Sequence, residues 1–175
     1  LDVSTSCIHA NLVTIDKKIT VSLSKSVEYI LDGPKGYYSI NTTRLWGKIT
    51  DIIKEVNESA LNKYNILAIS VTSQREGSVF LDKNNNEIFS FPNIDLRAKR
   101  VSYDISSRYG EKIYRITGHW PDAYFPAMRL LWIKEFYPEK FKEIRSFLML
   151  NEWIAFKLSS MKILVSEWTN AAESM

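Results

Sequence analysis

Ile66-Leu67-Ala68-Ile69-Ser70-Val71, followed at once by Thr72-Ser73-Gln74-Arg75-Glu76-Gly77, is the stretch whose reading decides the fold. The first six residues are almost unbroken apolar sequence, too short for a helix, and predict a strand covered on both faces. A strand buried in that way needs helices around it, and helical spacing is found on either side. The expectation is therefore one α/β domain. The polar run from Thr72 then lies at the carboxyl end of the strand, where open α/β sheets receive their ligands.

Toward the N-terminus, Ile8 to Ile15 and Ile19 to Leu23 are β-prone runs around Asp16-Lys17-Lys18, a hairpin with a polar turn. The segment through Gly33-Pro34-Lys35-Gly36 reads as a loop. Asn41, Thr42 and Thr43 then offer a cap to an amphipathic helix carrying Leu45, Ile49, Ile52, Ile53, Val56 and Ala60. Toward the C-terminus, Val79-Phe80-Leu81 and Glu87-Ile88-Phe89 flank Asp82-Lys83-Asn84-Asn85-Asn86, a second hairpin whose asparagines tolerate positive φ. Asp95 to Tyr109, Tyr124 to Phe136, Glu139 to Arg145 and Glu152 to Leu158 predict helices, and Phe147 to Leu150 a strand.

The 175 residues are 45% hydrophobic and 25% charged, the composition of a globular domain with its own core. Twenty-three Lys and Arg against 20 Asp and Glu leave +3, too weak a field to predict a nucleic acid or an anionic membrane as partner. No apolar run is long enough for a membrane helix. Cys7 is the only cysteine, so no internal disulfide forms, and with His9 and His119 it makes no zinc cage. A reducing, cytoplasmic setting is expected. The opening on Leu1-Asp2-Val3 and the ending on Ala172-Glu173-Ser174-Met175 read as an excerpt of a longer chain.

Three places could carry chemistry. Asp2-Val3-Ser4-Thr5-Ser6 puts an acid before three hydroxyl residues, able to line a phosphate or hold a hydrated metal, and equally able to be ordinary turn chemistry. Gln74-Arg75-Glu76 sets a guanidinium beside a carboxylate, a pair that can grip neighbouring hydroxyls or form a surface ion pair. Asn93-Ile94-Asp95-Leu96-Arg97 follows the second hairpin, with Asn93 or Asp95 as a helix cap the simpler reading. No phosphate-binding P-loop, dinucleotide glycine fingerprint or Ser/His/Asp pattern is present.

Taken in order, Leu1-Asp2-Val3-Ser4-Thr5-Ser6, Ser73-Gln74-Arg75-Glu76-Gly77, Asn93-Ile94-Asp95-Leu96-Arg97, Ile116-Thr117-Gly118, Arg129-Leu130-Leu131-Trp132 and Ser166-Glu167-Trp168-Thr169-Asn170-Ala171 resemble the N-terminal domain of the FGGY family of carbohydrate kinases. The resemblance runs along nearly the whole chain. It implies the ribonuclease-H-like fold of the actin and hexokinase superfamily, and a phosphotransferase using ATP and magnesium on a sugar or polyol. It also implies no nucleic-acid or membrane partner, and admits a homodimer. Asp2 then matches the acid facing phosphate and magnesium, directly or through water, with Thr5 and Ser6 beside it. Gln74, Arg75 and Glu76 match a stretch that grips substrate hydroxyls, and Asn93, Asp95 and Arg97 a segment bordering the sugar.

The chain departs from the family pattern at Ser4, which replaces a glycine of the phosphate turn, at Asn93, which replaces a pocket tryptophan, and at Glu167, where most members have Asp. The family's general base lies downstream, so no catalytic base is expected in this chain, nor is the ATP-binding domain. Two other functions stay open: a non-catalytic sugar-binding or assembly module, for which Ser4 is the motive, and a nuclease with Asp2, Glu76 and Asp95 as metal ligands.

Overall fold

The computed structural model describes residues 1–174. It opens on an antiparallel meander of β1 (Asp2–Val3), β2 (Cys7–Val13) and β3 (Ile19–Ser26), in which Cys7 faces Ser26 and Val13 faces Ile19 across a bulge after Leu12. Ile8 and Ala10 of β2 point into the core while His9 and Asn11 point out, the period of two that a half-covered sheet imposes. Two short strands, β4 (Tyr29–Leu31) and β5 (Tyr38–Ile40), pair around the expected loop. At three residues each they are too short to show any alternation in sequence. Helix α1 (Thr42–Ala60) begins as expected, with the Asn41 side chain accepting from the Arg44 amide at 2.9 Å. It lays Leu45, Ile49, Ile52, Val56 and Ala60 on the meander.

The strand expected over Ile66–Val71 is not formed. Only β6 (Thr72–Ser73) joins the sheet, parallel to β1, with Asp2 opposite Thr72 and Val3 opposite Ser73. In that register Val71 falls opposite Leu1. The ladder therefore stops at the bonds from Leu1 to Ser70 and from Thr72 to Leu1, both 2.9 Å. Residues 66–70 are exposed, with Leu67 at 73%.

A second sheet follows the order β8-β7-β9, made by β7 (Ser78–Leu81), β8 (Glu87–Phe91) and β9 (Ser146–Met149). Asn85 takes φ 65° in the β7–β8 turn, where the Asp82 carboxylate accepts the amides of Asn84 and Asn86. All four residues of β7 are buried. Val79 and Leu81 belong to the core beneath α1, and Phe80 to a second core with Phe91, Val101, Met128 and Trp132.

Helices α2 (Lys99–Thr117), α3 (Pro126–Phe136), α4 (Pro138–Glu143), α5 (Leu150–Leu158) and α6 (Trp168–Glu173) complete the chain. α2 starts four residues later than expected because a turn closed by the Lys99 amide on the Leu96 carbonyl precedes it, and it is capped by Gly118, whose φ of 78° closes the helix in the left-handed region. α6, which no periodicity predicted, is capped by the Glu167 carboxylate accepting from Asn170 at 2.8 Å.

Candidate functional site

β1 and β6 are parallel neighbours, so the two loops that leave them emerge on the same edge of the sheet. The Gln74 amide carries the ladder one step further, to the Val3 carbonyl at 2.8 Å. On the β1 side a tight turn runs from Ser4 to Cys7. The Ser4 amide and hydroxyl both donate to the Cys7 carbonyl, at 2.9 and 2.8 Å. None of Ser4, Thr5 and Ser6 has a positive φ, so a side chain at Ser4 does not strain the turn.

A polar network ties this turn to segments distant in sequence. The Asn93 side-chain amide exchanges hydrogen bonds with the Thr5 hydroxyl, at 3.1 and 3.3 Å. The Asn93 backbone amide donates to Gln74 Oε1 at 2.8 Å, and Gln74 Nε2 donates to the Tyr29 hydroxyl at 2.7 Å. Thr5, Gln74 and Asn93 thus meet. Gln74 is buried with one hydrogen bond to the protein at each end of its amide, and it ties Asn93 to Tyr29 behind the β1 turn. Burial pushes the Tyr29 phenol up to about 12, against the opposing pull of the Gln74 hydrogen bond. Asp2 is half-buried, and among the described residues nothing hydrogen-bonds its carboxylate; Ser6 is exposed.

Arg75 and Glu76 stand on the solvent side of this network. The Arg75 side chain is 82% exposed and that of Glu76 12%, with Nε and Oε1 4.0 Å apart. Burial raises the Glu76 carboxyl, the nearby Glu173 carboxylate raises it further, and Arg75 opposes both. Tyr124 faces the same cluster: burial first, then Asp122, Glu76 and Glu173, raise its phenol. Neither Tyr124 nor Glu173 was expected here. Tyr124 reads in sequence as the first residue of a helix, and no spacing links Glu173 to Glu76.

The raised carboxyl has a pH signature. Below the unfolded value of about 4.3, Glu76 is protonated in both states and stability is complete. As pH climbs from there to the higher native value, the unfolded chain has released the proton and the native one has not, so stability falls. Glu76→Gln should remove this decline, read as thermal midpoints of both proteins from about pH 4 to about pH 7. A wild-type midpoint rising against the variant's over that range would reverse the assignment.

Asp95 corrects an expectation. Its side chain is 0% exposed and that of Arg97 3%, with Arg97 Nε 2.9 and 3.0 Å from the two carboxylate oxygens and the Tyr38 amide donating to Oδ2 at 2.7 Å. The rest of the Arg97 guanidinium meets Asp32, the Tyr38 carbonyl and Ser39, and lies 4.5 Å from the Phe91 ring centre. Asp95 is therefore a structural anion behind the site, without a face for a sugar hydroxyl. Asp2, Glu76 and Asp95 also do not gather as metal ligands: among the described residues no three acidic, His or Cys side chains are placed to hold an ion.

Arg129 was quoted in sequence only as part of a motif. It is fully buried, and its guanidinium donates to the carbonyls of Glu76 and Pro92 and to the Ser78 hydroxyl. Burial lowers it to about 10, still charged at neutral pH. A cavity of about 350 Å³ lies elsewhere, against β9, lined by Leu148, Glu152, Val165 and Asn170 among others and sharing no residue with this site.

Residues 1–175 match the family model for the N-terminal domain of the FGGY family of carbohydrate kinases. YoaC of Bacillus subtilis, described as a sugar kinase, is 28% identical over 177 residues, covering 99% of this chain and 35% of its own. The autoinducer-2 kinase of Klebsiella pneumoniae is 26% identical over 165 residues, covering 91% and 31%. The crystal structure of gluconate kinase from Lactobacillus acidophilus superposes with a TM-score of 0.90 at 27% identity, over 99% of this chain and 35% of that one. The chain spans about a third of the length of each relative.

Proposed function

Because the chain belongs to the FGGY family of carbohydrate kinases, as its N-terminal domain, we propose that it forms the substrate-binding half of an ATP-dependent kinase that transfers the γ-phosphate to a hydroxyl of a sugar or polyol. The observation that carries this reading is the meeting of Thr5, Gln74 and Asn93 at one sheet edge, with the exposed Arg75 and the largely buried Glu76 side chains beside them. Arg75 donates to substrate oxygens and the Glu76 carboxylate accepts a hydrogen bond from a substrate hydroxyl, so that a neutral polyhydroxylated chain is held by opposite polarities. Asn93 and Thr5 form the polar wall between this grip and the β1 turn.

Asp2, with the Thr5 and Ser6 hydroxyls, faces the phosphates in this reading. One carboxylate without a protein partner suits magnesium, which keeps several waters and binds through one or two carboxylates and phosphate oxygens. Bound there, the ion would neutralise charge on the transferring group. The general base and the nucleotide domain belong, in this proposal, to the part of the kinase outside these residues, and closure of the two halves excludes water. Ser4 closes its turn with an ordinary φ and its own hydroxyl, which supports a formed β1 turn in this reading.

Asp2→Asn in the complete kinase tests the assignment. It should lower kcat by more than it raises KM for the sugar, because its partner is the phosphate and not the acceptor hydroxyls. The opposite pattern moves Asp2 into the sugar pocket, and small equal effects return it to turn chemistry.

A further inference from the structure

Glu76 is held in an uncommon backbone state. Its φ is 55°, and the Gly77 amide donates to the Arg75 carbonyl at 2.7 Å across it, which makes Glu76 the apex of a γ-turn with positive φ. A non-glycine residue stays in such a conformation only when its surroundings over-determine it, and such residues gather at functional sites. One restraint comes from Gly77, where a Cβ would lie 3.2 Å from both Gln74 Cγ and Leu150 Cβ and whose carbonyl is fixed by the Leu150 amide at 2.8 Å. The other is Arg129. One guanidinium nitrogen donates to the Glu76 carbonyl itself and to Ser78 Oγ at 3.0 Å; the second donates to the Pro92 carbonyl, immediately before Asn93, at 2.6 Å.

Arg129 makes no ion pair among the described residues, so its charge is placed against carbonyl dipoles. A rigid planar fork spanning two loops fixes their separation as well as their orientation, which the single-point ammonium of a lysine cannot do. We propose that Arg129 is a positioning residue for substrate recognition: it locks the Glu76 turn and sets the distance between the Arg75–Glu76 loop and the Asn93 wall. The inference rests on the kinase reading for its consequence, since the two loops so spaced are the two sides of the proposed sugar grip.

The experiment compares Arg129→Lys and Arg129→Gln in the complete kinase, with glycerol, xylulose and gluconate as probe acceptors. Lysine keeps the charge and glutamine removes it from the core, so one of the two is available if the other fails to fold. In either folded variant KM for the preferred acceptor should rise at least about tenfold while KM for ATP stays within about twofold. Ser78→Ala, which leaves both carbonyl contacts in place, should keep the acceptor KM within about twofold.

An unchanged acceptor KM in a folded variant, or a large KM rise in Ser78→Ala, would each overturn the proposal. Amide hydrogen exchange separates this inference from the kinase reading. In Arg129→Lys the segments around Gly77 and Asn93 should exchange faster together while α1 is unaffected, whether or not any probe is phosphorylated. Unchanged exchange there refutes the clamp, whereas a wild-type enzyme inactive on all three acceptors counts against the proposed function alone.

Discussion

Asp95→Ala should cost about 3–5 kcal/mol of folding stability, because it leaves the Arg97 guanidinium charged and without its main partner inside the protein. At 3% side-chain exposure Arg97 cannot turn to water, and the rings of Phe91, Trp132 and Tyr37, 4.5 to 5.5 Å from its centre, supply cation–π attraction in place of a counter-charge. Asp32, 3.3 Å away and half exposed, compensates only in part. The Tyr38 amide loses its acceptor as well. For a domain of this size the thermal midpoint should fall by roughly 6–20 °C. Asp95→Ala combined with Arg97→Met should recover much of the loss, since removing both charges also removes the unpaired one. A cost under about 1 kcal/mol for the single variant would mean that the pair is solvated, and would return Asp95 to the list of groups a sugar could reach.

Arg75→Ala and Glu76→Gln in the complete kinase should each lower kcat/KM by roughly ten- to a hundredfold, the effect of leaving one substrate hydroxyl without its partner in a closed cleft. Stability separates this from a structural role. The two side chains are 4.0 Å apart and Arg75 is mostly in water, so as an ion pair they contribute at most about 1 kcal/mol. Activity should therefore collapse in Arg75→Ala while the thermal midpoint barely moves. Pentuloses, glycerol, hexonates and autoinducer-2 precursor are screened first to find the acceptor. Unchanged kcat/KM on that acceptor would remove both residues from the substrate site.

The elements that could be read in the sequence are those fixed by local chemistry. The Asn41 cap, the apolar stripe of α1, the polar turn before Ile19 and the Asn85 turn each need only a few neighbouring residues. Ile66–Val71 was read from apolar content alone, which does not report which backbone pairs with it; only Thr72–Ser73 pair, with β1. Asp95 failed for a related reason: a carboxylate beside an arginine has the same sequence signature whether it faces a ligand or is turned inward onto its neighbour. The meeting of Thr5, Gln74 and Asn93 could not be read from spacing, since the hydrogen bond joining Thr5 to Asn93 spans 88 positions. Tyr124 was hidden by the apolar sequence after it. Arg129 did leave a trace, a lone cation among Met128, Leu130, Leu131 and Trp132.

The strand β7 has a consequence for how the domain comes apart. Val79 and Leu81 close one core and Phe80, on the opposite face, closes the other, so the same four residues serve as wall to both. Melting either side strips β7 of half its cover and opens the remaining core to water. The two halves should therefore unfold globally as a single cooperative unit, with the slowest-exchanging amides in β7.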